Sequence, residues 1–269
     1  MMRSLEFVKM HGLGNDFIML DADNIPSGMQ YNQLAKKIGH RQLGIGCDQL
    51  IIYKIEAEFV QMQIFNCDGS EAKACGNASR CLARLVHDNT HKQEIILKVG
   101  SREVRCRYHS PIDIAVKLGP VSFQSPWMPN QDFLLEANFV NMISPEEFIC
   151  VDVGNPHAVI FTDLSKKEQR MVGKKLQDKS IFPDGVNVNF VHIDHGTIYL
   201  RVWERGAGFT YACGSGAVAS FAASYKLGLC AQEAQVCFEL GSLNMSVDSA
   251  NEITMRGPAE YSFTGQILV

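Results

Sequence analysis

Three short stretches of the chain occur twice, in one order and at nearly one spacing. Gly14-Asn15 returns as Gly154-Asn155, 140 residues on, and Ala74-Cys75-Gly76-Asn77-Ala78 returns as Ala212-Cys213-Gly214-Ser215-Gly216, 138 residues on. Gly46-Cys47-Asp48-Gln49, ahead of LIIYK, matches Asp184-Gly185-Val186-Asn187, ahead of VNFVHI, again 138 residues on. One match of two to five residues is within chance; three in order at one offset imply two halves of one topology. Such halves are expected to pack face to face, with equivalent loops near a pseudo-twofold axis and the ligand site in the cleft between them.

Length agrees with this reading: 269 residues, 46% of them hydrophobic, exceed one small core and come close to two ordinary ones. Apolar runs bounded by Gly, Asn, Asp or Pro recur throughout. The first half carries LEFVKMHG, FIMLDA, QLIIYKI, FVQMQIFN, EIILKVG, EVRCRYH and DIAVKLG; the second carries ICVDVGN, HAVIFTDL, VNVNFVHI, TIYLRVWE, AQVCFELG and LNMSVDS. Helical periodicity is confined to YNQLAKKIGHR, Gly76 to about His87, KKEQRMVGKKLQ, and Gly214 to about Leu227, two helices per half. The expected fold class is therefore α+β and rich in strands. Pro120, Pro126 and Pro129 break both periodicities and mark the crossover between halves.

Twenty-five basic against 29 acidic side chains give a net charge of −4, with no basic stripe for a phosphate backbone and no polybasic run for an anionic membrane. No apolar run approaches the roughly 18 residues that span a bilayer, and MMRSLEFVKMHG lacks the apolar region of a secretory signal. The expectation is a cytoplasmic protein with a small-molecule partner, neither nucleic acid nor membrane. Nine cysteines, an odd number at irregular intervals, argue against a secreted disulfide framework, and the nearest pairs are spaced too widely for structural zinc. No metal and no cofactor is expected: no glycine-rich dinucleotide loop opens a helix, and no lysine has a context that marks a pyridoxal Schiff base.

Cys75 and Cys213 each precede a segment of helical period, which puts both thiols at helix N-termini. The glycine after each cysteine lets a ligand approach the backbone, and first-turn amides point at any anion there. A helix N-terminus favours a thiolate by about 0.3–1 kcal/mol, up to ~2 when partly buried, enough to bring a thiol from ~8.5 toward roughly 7. Two such thiols facing one cleft suit moving a proton from one face of a carbon to the other. One thiolate takes the Cα proton of an amino acid, the opposite thiol delivers a proton, and helix-terminal amides hold the charge that builds on the carboxylate. An amino-acid Cα–H is a very weak acid, so exclusion of water by domain closure has to contribute.

FVKMHGLGNDFIMLD, RQLGIGCDQLII, IFNCDGSEAKACGNASRCLA, GNPHAVIF, FPDGVNVNFV and WERGAGFTYACGSGAVA, in this order and over nearly the whole chain, resemble the diaminopimelate epimerases. The resemblance implies a cofactor-independent amino-acid epimerase that interconverts LL- and meso-diaminopimelate for lysine and peptidoglycan precursors. Two pseudo-symmetric domains of duplicated topology would each wrap a central helix, residues 1–117 plus 262–269 forming one and 118–261 the other, in a homodimer. Cys75 and Cys213 would be the acid/base pair. Asn15, Gln49, Asn66, Asn77, Asn155, Asn187, Glu204 and Arg205 would hold the substrate, and Gly76, Gly214 and Ser215 would give amides to the reacting carboxylate. His157 and Glu204 would assist the thiols by hydrogen bonding or charge. The residue types suit a substrate with amino-acid groups at both ends: Arg205 grips a distal carboxylate while Glu204 takes an ammonium. Ala78 stands where the family pattern has glycine, and Phe209 where it has a glutamate, a change that bears on loop geometry and charge near Cys213.

Other classes use the same cysteines differently. A proline-racemase-like enzyme needs a pocket for one amino-acid end only, and its first cysteine is followed by Gly-His where this chain has Gly76-Asn77. A thiol–disulfide oxidoreductase lacks its C-x-x-C here, a cysteine hydrolase leaves the second cysteine unexplained, and a binding module with a duplicated fold needs no chemistry. Cys47, Cys67, Cys81, Cys106, Cys150, Cys230 and Cys237 read as inert small hydrophobes. His11 reads equally as a loop brace or a site residue. Arg80 and Arg84 read as a solvated or interface face of the helix after Cys75.

Overall fold

The computed structural model describes residues 4–72, 75–129 and 148–269; Ala74 of the first cysteine motif lies outside them. The chain divides into two compact units, Met1–Leu118 with Arg256–Val269, and Gly119–Met255. The sequence expectation had placed these edges after residue 117 and before residue 262.

The first unit runs β1 (Ser4–Gly12), β2 (Asn15–Asp21), α1 (Tyr31–Gly39), β3 (Gln49–Ile55), β4 (Val60–Asn66), β5 (Glu71–Ala72), α2 (Gly76–Thr90), β6 (Glu94–Val99), β7 (Arg102–Ser110) and β8 (Asp113–Gly119). The second runs β9 (Phe148–Asp152), β10 (Pro156–Phe161), α3 (Lys166–Lys175), β11 (Asn187–Asp194), β12 (Thr197–Glu204), β13 (Gly208–Thr210), α4 (Gly214–Lys226), β14 (Glu233–Phe238) and β15 (Gly241–Val247). β16 (Ile253–Gly257) crosses the division, and β17 (Glu260–Leu268) returns to the first unit, antiparallel to β1.

The duplication is realised pairing by pairing. β1–β2 and β9–β10 are antiparallel; β2–β3 and β10–β11 are parallel; β3–β4 and β11–β12 are antiparallel. β4 takes β5 antiparallel and β6 parallel, and β12 takes β13 and β14 in the same senses. Register agrees as well: Phe17 faces Gln49 as His157 faces Asn187, and Leu50 faces Phe65 as Val188 faces Trp203.

Strands covered on both faces need apolar residues at successive positions, which is why their runs read as continuous rather than alternating. Phe17, Met19, Ile51 and Tyr53 pack with Ala78, Cys81, Leu82, Leu85 and Val86 of α2. Their neighbours Ile18, Leu20, Leu50 and Ile52 pack on the opposite face with Leu34, Ala35 and Ile38 of α1. In the second unit Ala158, Ile160, Val188 and Phe190 pack with Val172 and Leu176 of α3. There α4 lies against β9–β12, β14 and β15, and the small residues of its GSGAVASFAAS run are mostly buried.

Arg80 departs from the expected solvated face. It is 0% exposed, and its Nε donates to Pro258 O at 3.1 Å. Helix that is buried on every side, as α2 is from Gly76 to Ala83, keeps a charge only with polar partners. Burial lowers the Arg80 guanidinium to about 10, which leaves it charged at neutral pH. Arg84 pairs with Asp88 at 2.7 Å, and its guanidinium lies 5.2 Å from the centre of the Tyr261 ring. Both arginines thus hold the returning C-terminal segment.

Candidate functional site

Each unit presents a polar cluster at the N-terminus of its inner helix. Cys75 is the residue ahead of α2 and Cys213 the residue ahead of α4, both in extended backbone. The first main-chain bonds of the helices run from Ser79 N to Cys75 O and from Ala217 N to Cys213 O, each 2.9 Å. The amides of residues 76–78 and 214–216 therefore stand ahead of the helical ladder, and Gly216 N donates to Cys213 Sγ at 3.3 Å.

In the first unit the Leu13-Gly14 turn between β1 and β2, with φ of 55° and 85°, sets Asn15 at the start of β2. Asn15 Nδ2 donates to Asp48 Oδ2 at 2.8 Å, which fixes the orientation of its amide. Asn15 Oδ1 then accepts from Asn77 Nδ2 at 3.1 Å and, at 3.9 Å, faces the Cys75 thiol. Gln49 and Asn66, opposite each other on β3 and β4, are joined by Gln49 Nε2 to Asn66 Oδ1 at 3.0 Å, and Asn66 Nδ2 continues to Ser70 Oγ at 2.9 Å. Gln49 Oε1 and Asn77 Oδ1 are buried and meet no hydrogen-bond partner among the described residues.

A charged frame that the sequence reading missed supports this cluster. Asp16 pairs with Lys9 at 2.6 Å and Arg41 at 2.7 Å, and Arg41 also reaches Asp48 at 2.8 Å. Burial opposes the charge on Asp16, but hydrogen bonds from Arg41 and Lys9 prevail and hold its carboxyl at about 2. The available signal was the Gly-Asn-Asp run beside the duplicated Gly14-Asn15.

In the second unit Ser215 lies at the centre. Its Oγ is 3.4 Å from Cys213 Sγ, 3.0 Å from His157 Nε2, and accepts from Asn155 Nδ2 at 3.4 Å. Behind it Asn189, also unmarked in the sequence reading, places Nδ2 3.1 Å from His157 Nδ1. His157 is fully enclosed, and burial lowers its pKa to about 4, with the Asn189 hydrogen bond opposing the shift. The imidazole is therefore neutral at neutral pH. Asn189 offers Nδ1 both its Nδ2, at 3.1 Å, and its Oδ1, at 3.4 Å, so His157 Nε2 faces Ser215 Oγ as donor in one tautomer and as acceptor in the other.

Asn187 Nδ2 donates to Pro156 O at 3.2 Å, and Asn187 Oδ1 accepts from Arg205 N at 3.0 Å. The exposed Arg205 guanidinium touches Asp184 O at 2.6 Å, over a Gly185 whose Cβ would meet Arg205 Cδ at 2.8 Å. Thr210 Oγ1 donates to Glu204 Oε1. Phe209, where the family pattern has glutamate, faces away from these groups: it lies opposite Trp203 on β12, with ring centres 5.1 Å apart, against the α3 side of the core.

A family model described as diaminopimelate epimerase matches residues 7–124 and 149–262. The chain belongs to the diaminopimelate epimerase family. Membership makes it an isomerase, and the family resemblance read from the sequence is borne out. A protein named diaminopimelate epimerase from Rickettsia felis is 48% identical over 266 residues, covering 99% of this chain and 98% of the relative. One from Rickettsia bellii is 49% identical over 259 residues, 96% of either chain. Among solved structures, a phenazine biosynthesis protein from Bacillus anthracis superposes with a TM-score of 0.70 at 14% identity, covering 99% of this chain and all 100% of the other. A hydroxyproline epimerase from Agrobacterium vitis superposes with a TM-score of 0.66 at 11% identity, covering 99% and 93%. At such identities the likeness of this chain to these two proteins is one of fold.

Proposed function

We propose that the protein interconverts LL- and meso-diaminopimelate without a cofactor, with Cys75 and Cys213 as the two acid/base groups in a cleft between domains. The observation that carries this reading is the equivalent placement of the two thiols, each the residue ahead of the inner helix of its unit, in a chain of this family. One sulfur takes the Cα proton as the C–H bond breaks and an S–H bond forms; the other releases its proton to the opposite face of the same carbon. Charge that moves onto the α-carboxylate meets amides of Gly76, Asn77, Gly214 and Ser215, fixed before the reaction starts. Such preorganised donors are worth about 3 kcal/mol each where they have been removed from other enzymes.

The two thiols have different surroundings. Gly216 N donates to Cys213 Sγ, and Ser215 Oγ, 3.0 Å from His157 Nε2, turns its hydrogen to that sulfur when the imidazole proton sits on Nε2. Asn15 Oδ1 is an acceptor beside Cys75. In this reading His157 acts through hydrogen bonding, its burial excluding the alternative of charge. Gln49, Asn66, Asn155, Asn187, Glu204 and Arg205 bind the two amino-acid ends, and the unpartnered oxygens of Gln49 and Asn77 suit ammonium donors. Residence in the cytoplasm rests on the sequence expectation and a homodimeric state on the family resemblance, and sedimentation velocity checks the second.

Incubation with each stereoisomer in D2O tests the mechanism. Deuterium should enter at one Cα with change of configuration, and Cys75→Ala or Cys213→Ala should abolish turnover. Chelators and carbonyl-trapping amines should leave the rate unchanged. Unchanged turnover in both single variants contradicts the assignment; Cα exchange on proline but not on diaminopimelate would turn it toward the racemase alternative.

A further inference from the structure

Cys47 and Cys67 have no part in the proton transfer, yet the fold sets them side by side. Gln49 on β3 faces Asn66 on β4, so Cys47 and Cys67 flank the open end of this antiparallel pair. Their sulfurs are 3.9 Å apart. Cys47 is buried and Cys67 half-buried, so reagents reach Cys67 first. The Cys67 sulfur is crowded by main-chain oxygen, with Cys47 O at 2.8 Å and Gly39 O and Asp48 O each at 3.5 Å. The hydrogen bond between the thiols, with burial, pushes Cys47 well up. The same bond pulls Cys67 down, against burial and the nearby Asp48 carboxylate.

We infer that Cys47 and Cys67 are an oxidation site, converted by a hydroperoxide into an intramolecular disulfide that added thiol reverses. The Cys67 sulfur attacks a peroxide oxygen: the O–O bond breaks, an S–O bond forms, and with hydrogen peroxide the leaving oxygen departs as water with the thiol proton. The Cys47 sulfur then displaces the hydroxyl of that sulfenic acid, forming S–S and breaking S–O, and its own proton leaves in a second water. Two thiols give up two electrons and one peroxide is reduced. A disulfide bond of about 2.05 Å requires the sulfurs to close by about 2 Å, which draws Cys67 off its ring of carbonyls. Asp48 and Asn66 adjoin these cysteines and hold Asn15 and Gln49, so the bond also disturbs the first unit's polar cluster.

Trypsin cuts after Arg41, Lys54, Lys73 and Arg80, placing Cys47, Cys67 and Cys75 on three separate peptides, with Cys213 on a fourth. The site is thus read independently of the proposed catalytic pair. The full chain, exposed to hydrogen peroxide, alkylated and digested, should yield a peptide 42–54 linked to 55–73, two hydrogens lighter than the sum, which dithiothreitol dissolves. Cys47→Ser should stop the reaction at a Cys67 sulfenic acid that dimedone traps, and Cys67→Ser should give neither product. Cys47 and Cys67 that both remain alkylatable, or Cys67 driven to sulfinic acid beside a free Cys47, overturn the proposal. Circular dichroism of each variant verifies that it is folded before oxidation.

Discussion

His157 and Asn189 occupy, in the second unit, the register positions that Phe17 and Ile51 occupy in the first, where both residues are 0% exposed. A buried apolar pair has been exchanged for a buried polar one, which costs stability unless every donor and acceptor is matched. The proton balance gives this exchange a pH signature. An unfolded histidine binds its proton below about 6.5, whereas folded His157 stays neutral down to about 4. Between these values the unfolded state takes up more protons, so stability is full above pH 6.5 and falls as pH drops, by roughly 3 kcal/mol in all. Urea unfolding at a series of pH values should show this slope, and His157→Gln should flatten it; an unchanged slope refutes the assignment. Asn189→Ala should cost about 1–3 kcal/mol by stranding the imidazole nitrogen, and by freeing the tautomer should lower kcat more than it raises KM. Asn189→Asp, which accepts a proton from Nδ1, should raise the histidine pKa and move the acid limb of the pH–rate profile upward.

At the scale of elements, most of the fold was legible because its strands and helices are long enough to show a period. The four helical patterns correspond to α1, α2, α3 and α4, and each apolar run named in the sequence became a strand. β5 and β13, at two and three residues, are too short for any alternation to appear. β17 was visible through the family alone, since its positions are mostly exposed and it is held by pairing with β1 rather than by an apolar face. Arg80 was misread for a related reason: a charge on a helix signals a wet face only where the helix has one, and α2 is buried at every position from Gly76 to Ala83. The candidate site was legible where loops repeat, at Asn15, Cys75, Asn155 and Cys213; Asn189 sits inside a strand with no loop signature, opposite Val202. Helix ends supply a test independent of the site. Ser165 and Glu168 form a reciprocal capping box at the start of α3, with Ser165 N to Glu168 Oε2 at 2.8 Å. Ser165→Ala should cost about 1 kcal/mol, read as a lower denaturation midpoint with unchanged turnover, because α3 lies on the far side of the sheet from α4.

For the whole molecule, the division of the chain means that the C-terminal residues complete a unit begun at the N-terminus. β17 covers β1 from Ser4 to His11, Phe263 packs edge-on against Phe7 with ring centres 5.8 Å apart, and Pro258 O receives Arg80. The second unit is continuous in sequence, from Gly119 to Met255, and holds both tryptophans, Trp127 and Trp203. Tryptophan fluorescence therefore reports the second unit, while far-ultraviolet circular dichroism reports both. A chain ending at Gly257 loses the strand beside β1 and takes the Pro258 carbonyl from the buried Arg80 guanidinium, at a cost of several kcal/mol that a unit of this size cannot absorb. The first unit should then be unfolded in buffer: circular dichroism should lose about half its sheet signal, while the tryptophan transition in urea keeps a cooperative midpoint. Loss of that transition in the truncated chain would mean that the second unit depends on the first for its stability. A full circular-dichroism signal in the same chain would mean that β17 contributes little, and that the Arg80 anchor is replaceable by water.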